Sequence, residues 1–377
     1  MRRALGRSLP YRLIRPGVDT RGSLLRRWTG EMPVYGVTLA LFALCTALLA
    51  SRGIGLDAGP VLANARIYLV SIVAWMALDA GLHLARHRPR EPFAALHRRY
   101  AGPGAIRRWI AGAPLLALCI LLMPFFSKMK AAIPLFNAYT WDATFIAWDR
   151  AIFFGYDAWQ VLQPLVGYPP VTALLGLLYQ AWFLLLYTGC LYMAFAAIDP
   201  ALRRQFFLGY ALSWSVIGGG AATLLASVGP CFLGPLMGDP TFDAQMAYLR
   251  AADAQIPVMP LAVQQMLLDW HAADADGLGS GITAMPSMHV AIAFLYWLAV
   301  RRISARAGRW MFAFFVVTWI GSVHLAYHYA VDGLVSIVMV ALLWRLSGAV
   351  IAWWDARLAG SAPRLQPALR TKTVPAE

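Results

Sequence analysis

Apolar residues in this chain fall into eight long runs, about 33–50, 64–85, 107–126, 171–198, 206–228, 287–301, 309–327 and 332–354, separated by shorter polar stretches. About 20 predominantly apolar residues are needed to cross a bilayer core. The pattern therefore predicts an all-α, polytopic transmembrane helix bundle of about eight spans, the run at 287–301 being the shortest. Composition agrees: 60% of the 377 residues are hydrophobic and only 13% charged, outside the usual balance of a soluble domain.

Lys and Arg near the ends of spans accumulate on the cytoplasmic side of a membrane, which tests the span count independently. With the N-terminus inside, the cytoplasmic segments 1–32, 86–108, 199–205, 301–309 and 345–377 hold 26 of the 32 Lys and Arg residues. The other six, Arg52, Arg66, Lys128, Lys130, Arg150 and Arg250, fall on the opposite side or at its edge. A wrong number of spans would scramble this alternation. The same distribution explains the net charge of +14 without a nucleic-acid partner, because the basic residues are not gathered into one face with polar readers between them. Cys45, Cys119 and Cys190 lie within apolar runs and only Cys231 in a loop, so no disulfide framework and no Cys-rich metal site is expected. The basic stretch before Pro33 resembles a secretion signal, but no small-x-small cleavage site follows Leu49. It is read as the flank of an uncleaved first span.

Two outer segments are too long for simple turns. In the first, Trp141, Phe145, Trp148 and Ile152 recur at i, i+4, i+7 and i+11, which predicts a helix. It either lies in the interface with its apolar face in lipid or packs on the bundle. The second, Gly229 to Met285, carries Asp239, Asp243, Asp253, Asp269, Asp274 and Asp276 among several Gly and Pro. It is expected to form an outer-face cap.

Ionisable groups at or within spans are costly and count as functional candidates. Two clusters qualify, and the topology puts both on the outer face. One is Gly279-Ser-Gly-Ile-Thr-Ala-Met-Pro-Ser-Met-His289, which runs straight into an apolar segment. Pro286 suits a first helical turn, and the free N–H groups there, near Ser287 and His289, make a seat for a phosphate. The other is Gly321-Ser-Val-His-Leu-Ala-Tyr-His-Tyr-Ala-Val-Asp-Gly333. If helical throughout, it would stack His324, His328 and Asp332 on one face at i, i+4 and i+8. A carboxylate one turn from an imidazole can fix its tautomer and support positive charge on it. A His324–His328 pair at i, i+4 could also ligate zinc, but no third ligand is suitably spaced, so no metal and no cofactor is expected.

Pro286-Ser287-Met288-His289 and His328-x-x-x-Asp332 resemble the second and third signatures of the type 2 phosphatidic acid phosphatase superfamily. More narrowly they resemble its inositolphosphotransferase-like branch, which includes fungal inositol phosphorylceramide synthase and has a bulky residue where Met288 stands. The likeness extends to Lys130-x-x-Ile133-Pro134, Trp141-Asp142, Asp149-Arg150, Gly155 and Gly229-Pro230, and so covers about residues 128–350. It divides the chain into a basic cytoplasmic segment (1–32), a three-span region (33–127), a phosphatase or phosphotransferase-like membrane domain (128–355) and a disordered cytoplasmic tail (356–377).

The chain departs from the family in its cations. The signature Lys-x6-Arg-Pro is absent, and Ser322 stands six residues before His328, where the family has a phosphate-gripping Arg. Lys130, with Lys128, Arg150 or Arg250 as alternatives, is the candidate clamp, and a snorkelling interfacial lysine is the other reading of Lys130. The resemblance implies a metal-independent double displacement. His328 attacks phosphorus, Asp332 orients it and His289 protonates the departing alkoxide, while Lys130, Ser287, Ser322 and His324 line the substrate site. The implied substrate is a phosphorylated lipid, and transfer to a lipid hydroxyl is favoured over hydrolysis. The basic, Ala- and Arg-rich composition suggests a bacterial inner membrane, and the topology puts the active site on its periplasmic face; the oligomeric state is left open. Two other classes stay open: a transporter or channel that uses the His and Asp cluster as a proton or ion relay, and a structural membrane subunit. The enzyme reading requires His289 and His328 to face one phosphate-sized gap.

Overall fold

The computed structural model describes residues 20–273, 275 and 277–360. Residues 1–19 of the predicted basic segment and 361–377 of the predicted tail lie outside the described residues. The helices are α1 (Thr20–Ala50), α2 (Ala58–His87), α3 (Pro92–Tyr100), α4 (Pro103–Phe136), α5 (Asp142–Ile152), α6 (Ala158–Val166), α7 (Pro169–Gln180), α8 (Trp182–Phe195), α9 (Pro200–Leu212), α10 (Ala222–Leu224), α11 (Pro230–Met237), α12 (Asp243–Asp253), α13 (Met259–Ala272), α14 (Met288–Ile303), α15 (Ala305–His324) and α16 (Ala330–Gly360). A π-helical segment, Ser213–Ala221, joins α9 to α10. Proline occupies the first turn of α3, α4, α7 and α9, where its missing N–H costs nothing. Side chains of Asp57, Asp199, Ser287 and Ser304 accept the first free N–H groups of α2, α9, α14 and α15, the usual answer to the unpaired donors of a helix start.

Every predicted apolar run is helical over most of its length. Among the described residues, six helical stretches are long and apolar enough to cross a membrane: Leu24–Ala50, Ala58–His87, Pro92–Phe136, Pro169–Phe195, Pro200–Leu224 and Ala330–Gly360. The other two runs became α14, only 16 residues long, and α15, with Arg306 and Arg309 in its opening turns. Burial accounts for the short α14: Val290, Ala291, Ile292, Ala293 and Leu295 are fully buried, among neighbours on α8, α9, α15, α16 and the π-segment. A helix surrounded by protein has no lipid thickness to match. The first span begins earlier than the sequence suggests, with α1 running unbroken through Pro33.

The outer segments are helical too. The stretch from Gly229 to Met285 contains α11, α12 and α13, with α12 and α13 packed on α7. On α5 the buried residues are Asp142, Phe145, Ile146 and Asp149, whereas Trp148 and Ile152 are exposed. The inward face is thus rotated from the aromatic stripe and carries two carboxylates. Their partners explain why.

Candidate active site

The second cluster does not form one continuous helix, and the stacked triplet of His324, His328 and Asp332 expected at i, i+4 and i+8 is corrected here. α15 ends at His324 and α16 starts at Ala330. Between them Ala326 adopts φ +62°, Tyr327 N–H donates to the Ser322 carbonyl (3.1 Å), and Ala326 N–H donates to the Val323 carbonyl (3.1 Å). That pair of bonds is the Schellman helix stop. Its left-handed position usually holds Gly, so Ala326 left no signal in the sequence. Cys231 N–H donates to the Ala326 carbonyl (2.8 Å) and fixes the turn from the side.

The stop separates the two histidines of this cluster. The His324 ring points away, its Nε2 2.9 Å from Thr172 Oγ1, whose hydroxyl in turn meets Tyr248 Oη at 2.7 Å. Ser322 is fully buried and donates its hydroxyl to its own helix at the Trp319 carbonyl (2.7 Å). Neither side chain is brought to His328. His328 Nδ1 lies 3.1 Å from Asp332 Oδ2, which also accepts the Tyr329 N–H at 3.1 Å. An ionised carboxylate can only accept, so Nδ1 carries the proton and Nε2 keeps its lone pair.

α5 holds this turn in place. The two Asp149 oxygens accept the N–H groups of Ala330 and Val331, both at 2.8 Å, so a carboxylate from a distant segment caps the start of α16. Burial pushes the Asp149 pKa up, and the two amide bonds oppose the rise. Asp142 accepts N–H from Val228 (3.0 Å) and Gly229 (2.9 Å) and the hydroxyl of Tyr329 (2.8 Å). Burial, and then the Asp142 charge, push the Tyr329 hydroxyl up, so it stays a donor. Gly229 has φ +88°, and a Cβ there would meet Ala284 Cβ and the Tyr327 carbonyl at 2.8 Å; only glycine fits.

The strap before α14 brings His289 to the same depth. Gly281, at φ +85°, lies so close to the Lys130–Ala131 backbone that a Cβ would clash. Ser127 Oγ accepts the Gly279 N–H at 2.8 Å, and Lys130 Nζ donates to the Gly279 carbonyl at 3.3 Å. Ser287 then links the two clusters. Its N–H donates to the Asp332 carbonyl (3.4 Å), and Ser336 Oγ lies 3.0 Å from the Ser287 carbonyl and 2.7 Å from that of Asp332. The His289 ring stacks on Tyr179 (centroids 4.3 Å apart, 17° between planes) and sits 4.3 Å from Trp182, whose indole N–H donates to the His289 carbonyl (3.1 Å). Its centroid is 6.4 Å from that of His328.

Arg150 is paired with Asp157 at 2.7 Å, and Arg250 is exposed at the end of α12. Lys130, the first of the clamp candidates, bonds the strap that leads to His289.

Residues 143–346, more than half of the chain, match the family model described as PAP2 superfamily. The chain belongs to the PAP2 superfamily. It is thereby a member of a family of phosphatase-type membrane proteins, and the all-α bundle described above is that family's kind of fold. No curated protein and no solved structure matches it. The PAP2 match takes in His289, His328, Asp332 and Asp149, and begins just after Asp142; Lys130 lies upstream of it. What the sequence left unassigned are the jobs of Asp142, Asp149, Tyr179 and Trp182. The two carboxylates carried a signal, since an acid facing a buried helix side needs partners. The two aromatics carried none.

Proposed function

We propose that this PAP2 superfamily chain is a lipid phosphatase or phosphotransferase that works through a phosphohistidine at His328. The observation that carries the reading is the His328–Asp332 bond at 3.1 Å with the His289 ring 6.4 Å away at the same end of the bundle. His328 Nε2 gives its lone pair to phosphorus, and the bond from phosphorus to the lipid oxygen breaks. A protonated His289 donates its proton to that oxygen. Asp332 supports the positive charge that grows on His328, as the third member of a triad does. Water or a lipid hydroxyl then attacks the N–P bond, with His289 now taking the proton. The free N–H groups at the start of α14 and the Lys130 ammonium are the groups offered to the phosphoryl charge, and no step is assigned to a metal.

The Met288 signature favours the inositolphosphotransferase-like branch, and with it transfer of a phospho-headgroup to a lipid hydroxyl. The distribution of Lys and Arg supports a site on the outer face of the membrane, and the Ala- and Arg-rich composition favours a bacterial inner membrane. Ser322 and His324 take the role of shaping the turn before His328.

The test is incubation of purified protein with a panel of phosphorylated lipids, with and without a lipid alcohol, and mass spectrometry of the products. Loss of a phosphate or headgroup in the wild type but not in His328→Ala is expected. Inertness toward every lipid, or equal products from the variant, would contradict the proposal.

A further inference from the structure

A second feature of the same end of the bundle is absorbed by none of this chemistry. Between α1, α4 and the π-segment runs a groove of about 390 Å³, walled by Phe42, Cys45, Phe125, Phe136, Gly219 and Gly220 among others. That volume lies in the range of ligand sites, about 300–1,000 Å³. Two of its walls, α1 and α4, lie outside the residues that match the family.

The π-segment creates the space. Single π-turns recur at functional sites, and here the turn presents Gly218, Gly219 and Gly220 in succession. A Cβ at Gly218 would strike Phe126 and the Met288 sulfur, whereas one at Gly219 or Gly220 would meet nothing nearer than 3.8 Å. Gly218 is therefore needed for packing. The next two glycines leave room that packing does not require.

At the Phe136 edge of the groove stands a cation. Arg52, exposed in the loop between α1 and α2, lies over the Phe136 ring at 4.8 Å. An apolar slot that ends under a guanidinium matches one kind of molecule, a hydrocarbon chain with an anionic head. We propose that this groove seats one acyl chain of an anionic phospholipid, with the phosphate of that lipid on Arg52.

Lipid tails are as apolar as leucine, so burial of the chain gives no hydrophobic gain inside a bilayer. Selection comes from close packing in the slot and from the headgroup charge on Arg52. The seat lies close to the chemistry. Phe126 and Trp214 line the groove, with ring centroids 4.5 Å apart, and Trp214 is 6.3 Å from Trp182, which flanks His289. A bound chain would press on the aromatic wall that holds that histidine.

The test is native mass spectrometry of detergent-purified, delipidated full-length protein, incubated with phosphatidylglycerol or phosphatidylcholine of the same acyl chains. It reads binding alone and is independent of turnover. Wild type is expected to retain one phosphatidylglycerol in preference to phosphatidylcholine. Gly220→Phe, which fills the slot, should weaken retention of both by about tenfold or more, a loss of about 1.4 kcal/mol. Cys45→Trp fills it from the opposite wall and should do the same, so that misfolding of one variant, read by its melting temperature, leaves the other to decide. Arg52→Ala should abolish the preference for phosphatidylglycerol and leave phosphatidylcholine retention unchanged. Equal retention of the two lipids by wild type, or unchanged retention in a folded slot-filling variant, would overturn the proposal.

Discussion

The Asp149 carboxylate on α5 accepts the N–H of Ala330, 181 residues further along the chain, at 2.8 Å, and its second oxygen accepts that of Val331. A helix start normally finds its cap in its own preceding residues; here the cap comes from a separate helix and fixes where His328 and Asp332 stand. Asp149→Ala leaves two buried donors without partners, at about 1–3 kcal/mol for such a loss. We expect a lower melting temperature together with slower turnover. Asp149→Asn, with one carbonyl oxygen to accept, should recover part of both. An unchanged rate in Asp149→Ala would mean that the turn is held by other contacts.

The same residue gives stability a pH dependence. Burial raises its folded pKa above the ordinary 3.8, so between those two values the folded protein holds a proton that the unfolded chain has released. The Asp149 contribution to stability should therefore fall as pH rises through that window and be constant above it. Melting temperatures of wild type and Asp149→Asn across the acid range check this, the difference between them flattening above the folded pKa. A wild-type advantage that grew with pH there would contradict the sign.

Much of this was legible in the sequence. Period and length of the apolar runs were enough for the helices, and the two motifs drew attention to His289, His328 and Asp332. Illegible was the break between His324 and Ala330, because the left-handed turn residue is Ala326 rather than glycine, and with that break His324 left the cluster. The inward face of α5 was left open in the sequence for a related reason. Aromatic spacing pointed to one stripe, while the buried stripe was set by two carboxylates whose partners lie some 90 to 180 residues away.

Lys130 reaches the Gly279 carbonyl from α4 and so stands beside the strap that carries His289. Lys130→Ala should slow turnover of a phosphorylated lipid with little change in melting temperature, since a desolvated cation acts on the charge that develops at phosphorus. Wild-type rates in a folded variant would return Lys130 to an interfacial anchor.

Topology can be read separately from activity. Reporter fusions after Asp57, Asp157 and Asp253 should report the outer side, and those after Arg90, Arg204 and Arg306 the cytoplasm. Reversal at any one of them would break the eight-span arrangement and move His328 to the other face.

In the proposed mechanism the two histidines have different tasks, and leaving groups separate them. General acid catalysis contributes about 10²–10⁴-fold, and less where the leaving group departs unaided. His289→Ala should lose most activity on an alkyl phosphate ester and retain appreciably more on an activated aryl ester. Asp332→Asn should slow both esters alike, since it misorients the nucleophile whatever leaves. Identical responses of the His289 and Asp332 variants would refute the assignment of roles.

The most direct test of the central claim is acid-quenched capture of the enzyme during turnover of a lipid labelled in its phosphate, followed by peptide mapping. The account predicts acid-labile phosphate on the peptide that contains His328, its presence in His289→Ala turning over an aryl ester, and its absence from His328→Ala. Turnover without any phosphoenzyme in wild type, or label on a residue other than His328, would contradict it.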